Sequence, residues 1–207
     1  MSYEIRTRQA RCAALGFWPG PIDGINGPRT QAAYEAAVTS QEAKGLPFIH
    51  PTGLSRIHLH WSGGGHKANA TDLASYHVLI QGDGTVIHAA PPTARRSHTL
   101  NANTGAIGVS MCCMAGAVER PFSWGSAPMT QAQVDAMAEE VARLSVQYDI
   151  PVTRWSVLSH AEIQPTIGIK QRNKWDIVIL PNMAEPSNPI HAGDKIRRII
   201  QSRAWSI

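Results

Sequence analysis

The stretch YHVLIQGDGTVIHAA, residues 76–90, limits what this chain can fold into more than any other. Two apolar runs flank Gly82-Asp83-Gly84, and each run is too short for a stable helix. Such a pattern predicts two antiparallel strands joined by a tight turn. Three further segments read as strands. RIHLHW (56–61) alternates polar and apolar residues, AIGVSMCCM (106–114) is almost continuously apolar, and TRWSVLSH (153–160) is short and ends in a histidine. Between the last two lies the clearest helix, TQAQVDAMAEEVARLSVQY (130–148). Thr130 and Gln133 form a capping box there, and Val134, Met137, Val141, Leu144 and Tyr148 share one face. AGDKIRRIIQSRAW (192–205) predicts a terminal basic helix with Ile196, Ile199 and Ile200 on one side. Strands alternating with helices around one hairpin imply an α/β fold, a mixed central sheet flanked by helices.

Residues 1–46 have a different grammar. EIRTRQARCAALGF has helical spacing with Gly16 as its stop, PGPIDGINGPRT is dense in turn residues, and Pro28 suits the first turn of a second helix. This predicts a small N-terminal helical module, a linker at 47–54 and a larger domain at 55–207.

The 207 residues are 43% hydrophobic, enough for a packed core, and no apolar run approaches the roughly 20 residues of a membrane span. The start of the chain lacks an uninterrupted apolar stretch, so no secretory leader is expected. Cys12, Cys112 and Cys113 cannot build a disulfide framework. They read as buried filler in a reducing compartment, the last two on opposite faces of a strand. Net charge is +4 and the pI about 9.2, which favours an anionic partner. Without a Lys/Arg run or interleaved aromatics, nucleic acid is not that partner. The surplus of Lys195, Arg197, Arg198 and Arg203 over Asp194 leaves open a packed helix with a solvated face, or contact with anionic membrane or lipopolysaccharide.

Nine histidines are present. His60 and His160 stand out because each ends a predicted strand, where loops gather and sites form, and Asp176 falls in the loop expected after His160. Two neutral imidazoles and one carboxylate make a three-ligand set for Zn²⁺, with a fourth position open to water. Such a set implies hydrolysis.

IHLHWSGGG, YHVLIQGDGTVIHAA, RSHTLNANTGAIGVSM and LSHAEIQPTIGIKQRNKWD occur in one order. Together they resemble the zinc-dependent N-acetylmuramoyl-L-alanine amidases, the family of phage amidase endolysins, which is similar to the peptidoglycan-recognition proteins. The resemblance spans roughly 55–180. It implies one Zn²⁺ held by His60, His160 and Asp176, with His60 preferred to His58 because HWSG matches the family pattern. It implies catalytic roles for Tyr76 and Lys174, and substrate contacts for His98, Asn103 and Trp61. Lys174 is preferred to Lys170 because only Lys174 has an aspartate two residues on. The chain departs from the family in three ways. The interval from His160 to Asp176 is longer, Ile177 replaces the proline that usually follows the aspartate, and Ser110 stands where some relatives carry a glutamate.

LGFWPGPIDGINGPRTQAA (15–33) resembles the peptidoglycan-binding module of wall hydrolases, which implies wall contacts through Asp23, Gly24 and Arg29. The resemblances together imply a peptidoglycan hydrolase of phage or prophage endolysin type. It would stay in the host cytoplasm until a holin-type partner or lysis released it. A non-catalytic peptidoglycan binder and a zinc wall-peptide endopeptidase are the alternatives.

Overall fold

The computed structural model describes residues 2–172 and 174–204. Its centre is a five-stranded mixed sheet. The strands are β1 (Arg56–Trp61), β2 (Val78–Ile80), β3 (Val86–His88), β4 (Ala106–Met111) and β5 (Val157–Ser159), in the spatial order β3-β2-β4-β1-β5. Only β2–β3 is antiparallel, and it is the hairpin expected at Gly82–Gly84. The β1–β4, β1–β5 and β2–β4 pairs are parallel, so four strands point their carboxyl ends to the same edge. Cys112 and Cys113 lie just past the end of β4 and not within a strand as expected. The apolar run outlasts the pairing, and both thiols are buried and free.

Each face of the sheet has its own chemistry because strand side chains alternate. Ile57, Leu59 and Trp61 of β1 and Ile107, Val109 and Met111 of β4 enter the main core. There they meet Val134, Met137 and Val141 of α4 (Gln131–Gln147) and Ile196 and Ile200 of α6 (Pro189–Ala204), in the numbering that counts all six helices in chain order. The Thr130–Gln133 capping box opens α4 as the sequence requires. The opposite face of β1 presents Arg56, His58 and His60, all buried.

Two short helices were not legible as such. α3 (Ala70–Ser75) opens with an Asn69–Asp72 capping box. α5 (His160–Ile167) starts where a loop was expected, so His160 is the first residue of a helix and not the end of a strand. Ser159 is its N-cap, and the Glu162 side chain accepts the Ser159 amide at 2.9 Å. Buried Arg197 of α6 grips the same carboxylate at 2.8 and 3.1 Å and also donates to Val157 O. Gly193 lets α6 come this close, since a Cβ there would overlap the Glu162 carboxylate. Of the basic residues of α6, Arg197 is thus turned inward, and Arg203 pairs with Asp135. Trp205, expected at the end of this helix, lies outside the described residues.

The N-terminal helices α1 (Tyr3–Ala14) and α2 (Pro28–Glu42) share a small core of Cys12, Ala33 and Ala37, closed by Phe17, Tyr34 and Phe48. They are pinned to the rest of the chain. Arg11 donates to Asp149 Oδ2 at 3.0 Å and to Asp149 O at 2.9 Å, and Gln41 reaches the same carboxylate. Arg6 donates to Ile22 O and to Ile167 O at the end of α5. Among the described residues no helix is long and apolar enough to cross a membrane.

Removing Glu162 would leave the buried Arg197 guanidinium with the partly exposed Asp194 as its carboxylate and Val157 O as its other acceptor. Breaking a buried pair from one side costs about 3 kcal/mol or more. Glu162→Ala is therefore expected to lower the unfolding midpoint by roughly 6–12 °C, read by thermal denaturation.

Candidate metal centre

His60 sits on β1 between β4 and β5, with Ser110 opposite it in register. The α5 N-terminus delivers His160, and the segment after α5 returns to deliver Asp176. The Asp176 carbonyl accepts the Ala161 amide at 2.6 Å, which fastens this return directly beside His160. Asp176 Oδ2 lies 3.1 Å from His60 Nδ1 and 3.2 Å from His160 Nδ1. The three ligand atoms lie within 4.8 Å of one another, and all three residues are buried. This trio was expected from the sequence, and the fold brings it together from three separate elements.

The electrostatics suit a cation. Burial works against the Asp176 charge, but two imidazoles at hydrogen-bond distance outweigh it and hold the carboxyl below its ordinary range. Burial, against the pull of Asp176, pushes the His60 imidazole down to about 4, so it is neutral near pH 7. Neutral imidazole and ionised carboxylate are the forms that ligate metal.

A layer of further histidines backs the trio. His98 stands 5.2 Å from His60, and both His58 and His77 stand 5.7 Å from His98, ring centre to ring centre. Gly108 makes room for this layer, because a Cβ there would lie 2.6 Å from the His98 ring. Thr99 Oγ1 is shared by His58 Nδ1 at 3.1 Å, His98 Nδ1 at 2.9 Å and His60 Nε2 at 3.3 Å. His58 lies behind the trio and outside it.

The other expected site residues divide by position. Tyr76 is half-buried with its ring 5.2 Å from that of His60. Burial and the Asp176 charge push its phenol up to about 12, so it keeps its proton. Lys174 is exposed, two residues before Asp176, and no hydrogen bond or ion pair holds it among the described residues. Asn103 commits its Oδ1 to the backbone amides of His98 and Thr99, at 3.1 and 2.7 Å. Trp61 is only 7% exposed and packs edge-on against Trp175. In the N-terminal part, Asp23 and Arg29 line a groove of about 210 Å³ with Gln9, Pro19 and Ile25. Asp23 Oδ1 accepts from Gln9 and from the Ile25 amide, and Gly24 turns at φ +78°. Sequence reasoning missed Thr99 and Gln171, whose amide oxygen lies 3.0 Å from His160 Nε2. Neither carries a local signal, since a threonine or glutamine in a loop has no periodicity to betray it.

A mixed α/β sheet with a buried two-histidine, one-carboxylate donor set at the carboxyl edge of its parallel strands defines the class. Residues 46–177 match the family model described as N-acetylmuramoyl-L-alanine amidase (Amidase_2), and the chain belongs to that family. Among solved structures it is similar to the endolysin amidase LysCS from Clostridium intestinale URNW, at 17% identity and TM-score 0.47 over 72% of this chain and 84% of that one. It is also similar to the Staphylococcus aureus hydrolase AmiA, at 13% and 0.49 over 74% of each chain. The Drosophila peptidoglycan recognition protein SD matches at 21% and 0.40, over 54% of this chain and 70% of that one. A curated protein from Synechocystis sp. (strain ATCC 27184 / PCC 6803 / Kazusa), described as "Putative OxPP cycle protein OpcA", is 49% identical over 53 residues. These are 26% of this chain, which spans about a tenth of that protein's length.

The histidine layer predicts an acid limit for the metal-free protein. Burial first, and neighbouring cationic groups second, push His58 well below its ordinary range and His98 down to about 2. His60 is lowered as well, and so is His77. Unfolding frees them to take up protons near pH 6.5, so the unfolded state binds more protons and stability rises with pH. It is complete above pH 7 and is lost as pH falls from about 6.5 towards 4, by up to about 1.4 kcal/mol per pH unit for each imidazole. Urea midpoints measured with chelator between pH 7.5 and 5 check this, and His98→Gln is expected to flatten the slope.

Proposed function

We propose that this chain is a zinc-dependent N-acetylmuramoyl-L-alanine amidase. It would cleave the amide between the lactyl group of N-acetylmuramic acid and the L-alanine of the stem peptide. The observation that carries the reading is the buried convergence of His60, His160 and Asp176 in a chain of this family. The donor set fits zinc in ligand type and number, with two imidazoles and one carboxylate leaving a position for substrate or water. A zinc ion held there supplies Lewis acidity towards a carbonyl and lowers the pKa of a water molecule from ~15.7 towards ~7.

The remaining work falls to the chain's own side chains. Tyr76 keeps its phenolic proton and stands beside His60, so it donates a hydrogen bond to the reacting oxygen and orients it. Lys174, without a hydrogen-bond or ion-pair partner among the described residues and near enough to act on the His60 charge, supplies positive charge to the oxyanion of the tetrahedral species. A donor of this kind is worth about 3–4 kcal/mol in the transition state. His98 stands behind His60 in the histidine layer, while Asn103 fixes the turn of His98 and Trp61 braces the end of β1. With Ser110 opposite His60, no carboxylate base comes from β4. The phage or prophage endolysin type belongs to this reading, with peptidoglycan as substrate.

Residues 1–46 serve as the wall-binding unit, with the Asp23–Arg29 groove as its contact and 55–207 as the catalytic unit. Its ties through Arg11 and Arg6 make it a fixed extension of the catalytic face rather than a swinging tether. Deleting it would strip partners from Asp149 and α5, so point variants are the cleaner probe.

Mass spectrometry of digested peptidoglycan is expected to show new N-terminal alanine amines that vanish with chelator. Amines elsewhere would indicate an endopeptidase, and none a binding protein. Lys174→Ala is expected to keep its zinc and lose about 10²–10³ in kcat, measured by metal analysis beside turnover. Arg29→Ala is expected to weaken pelleting with sacculi while leaving hydrolysis of a small muropeptide unchanged.

A further inference from the structure

Gln171 lies on the long interval between His160 and Asp176, is buried, and forms no part of the donor trio. Its side-chain Nε2 donates to Leu100 O at 2.9 Å and to Ile169 O at 3.2 Å. Its Oε1 is 3.0 Å from His160 Nε2. Its backbone amide donates to Gln164 Oε1 on α5 at 2.9 Å. Carbonyl oxygens only accept, so the two carbonyls require the amide NH₂ on their side and turn Oε1 towards the imidazole. An amide oxygen has no proton to give. His160 Nε2 must therefore carry a ring hydrogen, so in the neutral ring Nδ1, which faces Asp176 Oδ2 at 3.2 Å, is the nitrogen available to a metal.

We propose that Gln171 is a positioning residue that commits His160 to ligate metal through Nδ1, and that its grip on Leu100 O ties this commitment to His60. Leu100 adjoins Thr99, whose hydroxyl lies 3.3 Å from His60 Nε2. Were Nδ1 of His60 to take the metal, that Nε2 would carry the hydrogen and donate to Thr99 Oγ1. One buried amide thus steadies both imidazoles, one directly and one through the 98–104 turn. The inference rests on the zinc reading above.

The test compares wild type with Gln171→Met, similar in volume but without the amide. Zinc and cobalt dissociation constants are measured by chelator competition, with the visible absorption of the Co²⁺ form, ¹⁵N spectra of the histidine rings and the thermal midpoint of the metal-free protein. The expected result is metal binding weaker by 10–100-fold, with an altered Co²⁺ spectrum. Wild-type His160 is expected to be metallated at Nδ1, and the metal-free midpoint to fall by no more than a few degrees. A lowered midpoint with unchanged metal affinity marks a structural prop and overturns the proposal, as does wild-type His160 metallated at Nε2. Should Gln171→Met not fold, Gln171→Asn keeps an amide too short to span His160 and Leu100. It is expected to lose affinity likewise, and undiminished affinity overturns the proposal. A wild-type chain that takes up neither metal overturns the zinc reading and this inference with it. A wild type that binds metal tightly beside an equally tight variant overturns the inference alone.

Discussion

Everything in the sheet's polar half is arranged around one carboxylate held between two imidazoles. Asp176 is buried, and an ionised carboxylate removed from water costs several kcal/mol unless hydrogen bonds and opposite charge offset it. The His60 imidazole, neutral near pH 7, brings no full charge to it. A cation would complete the set electrostatically, and that is what makes this cluster a candidate metal centre. The amide of Ala161 on the Asp176 carbonyl shows how the backbone is recruited to hold the geometry.

The fold answers this demand by dividing the sheet into two halves. One face is conventional core, packed by α4 and α6, and supplies the apolar burial that stabilises the molecule. The other face is a layer of histidines, whose polar atoms would destabilise the chain if left unpaired. Thr99, Asn103 and Gln171 take up much of that need. Arg197 and Glu162 perform a similar service at the start of α5, where the last helix of the chain braces the residue before His160. The geometry of the candidate site is thus tied to contacts among elements far apart in the sequence.

The N-terminal helices share in this bracing. Arg6 meets the last carbonyl of α5, and Arg11 meets Asp149 just beyond α4. A unit joined through buried guanidinium contacts moves with its partner. Under the proposed wall contact through the Asp23–Arg29 groove, these ties would set the orientation of the site as well as its distance from the glycan.

Short-range physics decided what could be read from the residues alone. The Gly82–Gly84 hairpin, the Thr130–Gln133 cap of α4, the strand at 56–61 and the class of fold follow from patterns within a few residues of one another. The resemblance of four sequence blocks singled out His60, His160 and Asp176. Ser159 and Glu162 spell a local cap for the helix at 160–167, but the tertiary structure alone showed that buried Arg197, 35 residues away, holds the Glu162 carboxylate. It alone put Asn103 Oδ1 on the amides of His98 and Thr99 and Trp61 against Trp175, and gave Thr99 and Gln171 their partners 39 and 11 residues distant. A hydrogen bond between side chains is specified by where two elements meet in space, and no periodicity along the chain encodes that meeting.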